Sequence, residues 1–321
     1  MRHEMATKEM SGEGKAVAVT GASGFIASWL VKLLLQRAYT VRATLRDPRA
    51  KERLHLFKAE LMEEGSFDDA FDGCEAVFHT ASPTFLTPSD PQAELIDPAV
   101  KGTLNVLRSC ATVGSIKRVV LTSSMASVVF NGKPLTSETV VDETWFSDPV
   151  FCENMKLWYM MAKTLAEEAA WKFANENRID MVALHPGLVI GPLLQPNLNS
   201  SVEVILDIVH GKKSLFGTIY RFTDVRDIAL AHVRAYEISS ASGRYCLVNK
   251  ILTLKETLEI LHRLFPNSNL PKPVDQNVNP NEPHFQISQE KAKSLDINFT
   301  PVEVSLRETV ESLREKGLLS I

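Results

Sequence analysis

The stretch Ala16-Val17-Ala18-Val19-Thr20-Gly21-Ala22-Ser23-Gly24-Phe25-Ile26-Ala27 decides how the rest of the chain is read. Its first five residues are uncharged and rich in valine, the pattern of a buried strand. A glycine-rich turn follows at once, and Ile26, Leu30, Leu33 and Leu34 then recur at helical spacing. In such a strand–turn–helix unit the first glycine permits the sharp turn, and the second lets the backbone approach a pyrophosphate. The helix N-terminus meets the phosphate charge. The third position needs only a small side chain for helix–strand packing, and Ala27 supplies it. Gly21, Ser23, Gly24, Phe25 and Ile26 are therefore expected to cradle a dinucleotide.

Downstream, short β-branched runs alternate with longer helical patterns. Strands are predicted at 40–45, 54–59, 76–80, 119–122 and 180–184, and helices at about 93–112, 153–174, 225–237 and 302–316. The alternation predicts an α/β chain with a doubly wound parallel sheet of the Rossmann type and a smaller C-terminal substrate-binding lobe. The dinucleotide-binding domain is expected over 13–190, with a return segment at about 222–250. The smaller lobe is expected to combine 191–221 with 251–321, and 1–12 to be a loose tail.

Composition sets the outer limits. The 321 residues are 45% hydrophobic and 23% charged, an ordinary globular balance with enough apolar surface for a full core. The net charge is −4 and no basic tract exists, so nucleic acid is a poor partner. No apolar run approaches the ~20 residues of a membrane span. The N-terminal residues lack the apolar segment of a secretory signal, and a cytoplasmic protein is expected. Cys74, Cys110, Cys152 and Cys246 are widely spaced, which predicts reduced thiols and no metal site. A monomer or weak homodimer is expected.

The second strand ends Thr44-Leu45-Arg46-Asp47. An arginine there accommodates the 2′-phosphate of NADP, whereas an acid binds the 2′-hydroxyl of NAD. Arg46 comes first, so NADP(H) is the expected cofactor, with Asp47 keeping NAD open. Ligands of such sheets lie along the carboxyl edge, where Thr80, Ala81, Ser82, Thr122, Pro186 and Leu188 stand. His79, one residue earlier, reads as a core histidine.

Tyr159 and Lys163 are four residues apart, and in a helix they share one face. A free tyrosine, with a pKa of about 10, exchanges protons poorly at neutral pH. A neighbouring ammonium is expected to lower that value, and the same lysine can reach the nicotinamide ribose. Thr122-Ser123-Ser124 ends a predicted strand at the same edge. A serine there can hold a carbonyl oxygen beneath the tyrosine hydroxyl.

These motifs resemble the extended short-chain dehydrogenase/reductases. The narrower resemblance is to the plant dihydroflavonol reductases, cinnamoyl-CoA reductases and their aldehyde-reducing relatives. It is carried by residues 19–31, 77–83, 97–106, 142–148, 156–159 and 163–167, and by Gly191-Pro192. The resemblance implies that Ser124 acts with Tyr159 and Lys163 in reducing a carbonyl. Leu157-Trp158-Tyr159-Met160-Met161 is more similar to phenylacetaldehyde reductases and cinnamyl alcohol dehydrogenase-like enzymes than to the Asn-Trp-Tyr-Cys-Tyr of cinnamoyl-CoA reductases.

Strand-edge position and resemblance together nominate Pro83, Phe85, Met125, Phe130, Leu193 and Phe222 for the substrate pocket, with Met160, Phe216 and Tyr220 beside them. Their apolar character suits an aromatic or terpenoid aldehyde. A cinnamoyl-CoA or dihydroflavonol type of reductase is the alternative within the family. A nucleotide-sugar epimerase using NAD and a non-catalytic cofactor-binding protein are the alternatives outside it. Four departures from the family pattern stand out. The basic insert after Pro48 is missing, Glu60 replaces an aspartate, Ala38 replaces a glycine, and His185 replaces an asparagine. His185 is expected either to reach the nicotinamide edge or substrate, or to pack.

Overall fold

In the computed structural model, residues 11–45, 53–84, 87–212, 217–273 and 285–320 are described. The decisive stretch forms β1 (Ala16–Thr20), the glycine turn and α1 (Phe25–Gln36). There follow β2 (Thr40–Leu45), β3 (Leu54–Lys58), α2 (Asp68–Phe71), β4 (Ala76–His79) and α3 (Asp97–Val113). Next come β5 (Arg118–Thr122), β6 (Val140–Val141), α4 (Pro149–Asn154), α5 (Trp158–Asn177) and β7 (Met181–Pro186). The remainder is β8 (Leu188–Ile190), α6 (Ser200–Val209), β9 (Ile219–Asp224), α7 (Val225–Glu237), β10 (Gly243–Leu247) and β11 (Lys250–Thr253). The chain closes with α8 (Leu254–Leu264), β12 (Gln286–Ile287), α9 (Glu290–Lys293) and α10 (Val302–Glu315).

Seven strands form one parallel sheet in the order β10-β7-β5-β4-β1-β2-β3. Its strands must be apolar on both faces because helices cover both. Val17 and Val19 pack with α1 and α7, while Ala18 between them joins the core under α3 and α5. β4, β5 and β7 are buried along their whole length. The strand order reverses at β1, which pairs with β2 on one side and β4 on the other. A crevice opens above such a switch point, at the carboxyl ends of the strands. A smaller sheet, β11-β9-β8, and the pair β12-β6 stand beside it.

The doubly wound parallel sheet matches the expectation from the sequence. Two local expectations are corrected. Ser11 and Gly12 are not part of a loose tail: the Gly12 amide donates to Arg37 O at 2.9 Å, and the Ser11 hydroxyl donates to Glu237 at 2.6 Å. The helix predicted from Glu153 is two helices. Lys156 between them has φ 55°, a left-handed conformation that no α-helix continues through. Ala38, where the family pattern has glycine, is left-handed, with φ 68°. Its amide donates to Leu35 O and that of Tyr39 to Leu34 O, the two bonds of a Schellman turn. Among the described residues, no helix is long and apolar enough to cross a membrane.

Candidate active site

The glycine turn is built for close approach. Gly21 has φ 65°, and a Cβ there would lie 3.0 Å from both Cα and Cβ of Ala81. Gly24 caps α1 with no side-chain bond, and the first turn of the helix holds no acid. The leading amides of α1 and its positive dipole end are thus left for an anionic ligand.

Thr20, which the sequence reading passed over, locks this turn to the exit of β4. Its hydroxyl oxygen accepts from the amides of Thr80 and Ala81, each at 3.1 Å. The hydroxyl proton is then left for His79 Nδ1 at 2.9 Å, and His79 Nε2 donates to Thr103 at 3.2 Å. Burial, then the charge of Lys163, push the His79 pKa down to about 3, so the ring is a neutral core histidine as expected.

Ser124, Tyr159 and Lys163, the side chains expected to react, stand at the same edge. Tyr159 sits in the first turn of α5, not mid-helix, because Lys156 breaks the helix just before it. Lys163, one turn on, is buried and donates to Thr122 O at 3.0 Å. Ser124 has an extended backbone, and its hydroxyl accepts from the Ala126 amide at 3.1 Å, capping a short 3-10 turn. Burial raises the Tyr159 hydroxyl above its ordinary value, and a hydrogen bond with Ser124 offsets part of that. The expectation of a tyrosine lowered by Lys163 is therefore corrected: burial outweighs the Ser124 hydrogen bond, and the lysine is not among the groups that shift it. Burial also brings Lys163 down to about 8, against an upward pull from Glu167.

One cleft of about 1540 Å³ runs over these groups. Gly21, Ser23, Gly24, Phe25, Ile26, Thr80, Ala81, Ser82, Thr122, Pro186 and Leu188 line it, together with Ser124, Tyr159 and Lys163. Pro83, Met125, Phe130, Met160 and Tyr220 line it as well. Leu193 and Phe222 do not, which corrects their assignment to the pocket. Leu193 is buried in the main core, and the buried Phe222 stacks on Tyr220 with ring centroids 5.5 Å apart. Apolar character alone does not tell a pocket wall from the core behind it. Arg46, Phe85 and Phe216 lie outside the described residues. Glu60 and Leu61 also line the cleft, as do Gly132, Lys133, Lys156 and Phe285, which the sequence reading missed.

Behind the cleft lies a buried ionic hub. Glu167 accepts from Ser123 and Ser127 at 2.6 Å each, from Arg244 Nε at 2.7 Å and from Trp171 Nε1 at 3.2 Å. The fully buried His185 sets Nε2 2.8 Å from the same carboxylate, so of its two expected roles it packs. Burial alone would raise Glu167, but His185 and then Arg244 hold it well below the usual carboxylate range.

Residues 17–247 match the NAD dependent epimerase/dehydratase family. The chain belongs to this family, in its extended short-chain dehydrogenase/reductase branch. It is similar to the cinnamoyl-CoA reductase CAD2 of Medicago truncatula, with 56% identity over 97% of this chain and 99% of the relative. Among solved structures it is similar to vestitone reductase from alfalfa, with a TM-score of 0.82, 32% identity, and coverage of 95% of this chain and 99% of that one. It is also similar to the yeast methylglyoxal/isovaleraldehyde reductase Gre2 complexed with NADPH, with a TM-score of 0.83, 27% identity, and coverage of 95% and 100%.

Proposed function

We propose that the chain is an NADPH-dependent reductase that converts an aromatic or terpenoid aldehyde to its alcohol. The observation that carries this is the meeting of Ser124, Tyr159 and Lys163 in one cleft with the uncapped N-terminus of α1. The cleft fits a dinucleotide: a Cβ at Gly21 would crowd Ala81, and no acid opposes a phosphate in the first turn of α1. The NADPH complex of Gre2 supports the choice of cofactor. When bound, NADPH supplies the hydride.

The chain's own groups supply the proton. The raised Tyr159 hydroxyl stays protonated at neutral pH and is the donor to the carbonyl oxygen. The Ser124 hydroxyl faces the same oxygen and orients it. Lys163, fixed by Thr122 O, brings positive charge toward the oxygen as it gains electrons. Met125, Phe130, Met160, Tyr220 and Phe285 give the substrate end of the cleft apolar walls, which exclude water and hold an aromatic or terpenoid body.

A second reading, reduction of a cinnamoyl-CoA-like thioester, is favoured by one observation. Lys133 and Lys156 line the cleft and could meet the phosphates of such a substrate. NADPH oxidation with phenylacetaldehyde, cinnamaldehyde and cinnamoyl-CoA separates the two. Faster turnover of the aldehydes is expected; turnover of the thioester alone would favour the second reading. Absence of binding to NADPH by calorimetry would sink both.

A further inference from the structure

Glu167 does not line the cleft, yet its buried carboxylate is the centre of a hydrogen-bonded network. A buried carboxylate is unfavourable unless charge and hydrogen bonds compensate it. Here five donors from four parts of the fold converge on one side chain. Two of them, Ser123 and Ser127, bracket Ser124 in sequence. Arg244 extends the grip, because its guanidinium also donates to Ser127 O at 3.2 Å and to the carbonyls of Glu143 and Trp145. Glu167 therefore joins the helix that carries Tyr159 and Lys163 to the loop that carries Ser124. It also stands four residues from Lys163, one helical turn along the same face.

We propose that Glu167 is a positioning residue of the active site. Its carboxylate fixes the Ser124 loop against α5 and sets a negative charge facing the Lys163 ammonium. The charged and titratable groups around the pair are few. Tyr159 and Glu167 face Lys163 from its own helix, and His79 faces it from β4. His185 from β7 and Arg244 from β10 face Glu167, with Glu168 beside it and Cys246 on β10. Where α3 and the turn before it meet α5, the contact is apolar, made by Leu95, Ile96, Ala99, Ala162 and Ala166. Burial favours loss of the Lys163 proton, and Glu167 is the group that counters it. A merely structural carboxylate would tie α5 to β10 without touching the titration of Lys163.

The inference rests on the reductase reading of Ser124, Tyr159 and Lys163, so its test includes a readout that needs no substrate. Lys163 is buried in the fold but lines the cleft, the route by which a small reagent meets it. Competitive acetylation with acetic anhydride across pH, read by peptide mass spectrometry, follows its titration in the cofactor-free protein. In Glu167→Gln, Lys163 is expected to titrate at lower pH than in the wild type. With NADPH and an aldehyde, kcat is expected to fall ~10²-fold with KM little changed, as for a misplaced catalytic group. An unmoved Lys163 titration, or an unmoved kcat, overturns the proposal. If circular dichroism shows that the single variant does not fold, Glu167→Gln with Arg244→Met removes both charges of the buried pair, and the same readouts decide. A wild-type protein that reduces no carbonyl would sink the reductase reading, while the Lys163 titration still judges Glu167.

Discussion

The ammonium of Lys163 donates to the backbone carbonyl of Thr122 at 3.0 Å, across the gap between α5 and the end of β5. This bond sets the height of the lysine, four residues beyond Tyr159, over the strand end that lies two residues before Ser124. It holds one charged group in place before any ligand arrives, which is what a preorganised site requires.

Tyr159→Phe removes the proposed proton donor and leaves the ring in place. A general acid is worth ~10²- to 10⁴-fold, so kcat for aldehyde reduction is expected to fall by that order. The melting temperature should change little, because Tyr159 lines the cleft and its ring stays in place. Steady-state kinetics beside thermal melts check both; wild-type turnover would remove Tyr159 from the mechanism.

Lys163 carries its charge below about pH 8 and loses it above. The charged form is the one that stabilises a developing oxyanion. Accordingly kcat/KM, which reports the free enzyme, is expected to fall as pH rises through about 8. A profile flat well past that point would show that the ammonium does not contribute.

Acid should destabilise the fold through two buried histidines. His79 is depressed to about 3 and His232 to about 4, both by burial, from an ordinary 6.5. A base with a depressed folded value folds neutral, so between those values the unfolded chain binds more protons. Stability is therefore full above about 6.5 and lost as pH falls toward about 3. Urea midpoints at about pH 7 and about pH 5 measure the loss. The slope should flatten in a His79→Asn, His232→Asn variant, whose side chains do not titrate there.

Ala38→Gly should stabilise the protein. Ala38 is left-handed at φ 68° and closes a Schellman turn, a place where glycine carries no Cβ penalty. The gain is expected to be about 1 kcal/mol, reduced somewhat by the greater freedom of glycine in the unfolded chain. A fall in melting temperature would mean that the Ala38 methyl packs better than its backbone suffers.

How much of this was legible in the sequence follows from the range of each interaction. The turn from Gly21 to Ala27 is local, and periodicity on either side of it specified strand, turn and helix. The four-residue spacing of Tyr159 and Lys163 is equally local. The break at Lys156 was not legible, because Glu153 to Leu157 reads as acceptable helix and only the left-handed backbone of Lys156, with φ 55°, interrupts it. Leu193 and Phe222 were misplaced for a different reason: a pocket wall and a core have the same composition. Glu167 went unnoticed because its partners Ser123, His185 and Arg244 lie 44, 18 and 77 positions away.

The sequence by itself determined the doubly wound class, through its alternation of strands and helices, and the glycine turn and the Tyr159–Lys163 spacing, each written within a few residues of chain. Tertiary structure alone decided the electrostatics of the site. Burial raises Tyr159 and lowers Lys163 and His79, and convergent donors keep Glu167 ionised. Desolvation and charge pairing depend on what surrounds a group in space, and no local pattern encodes that.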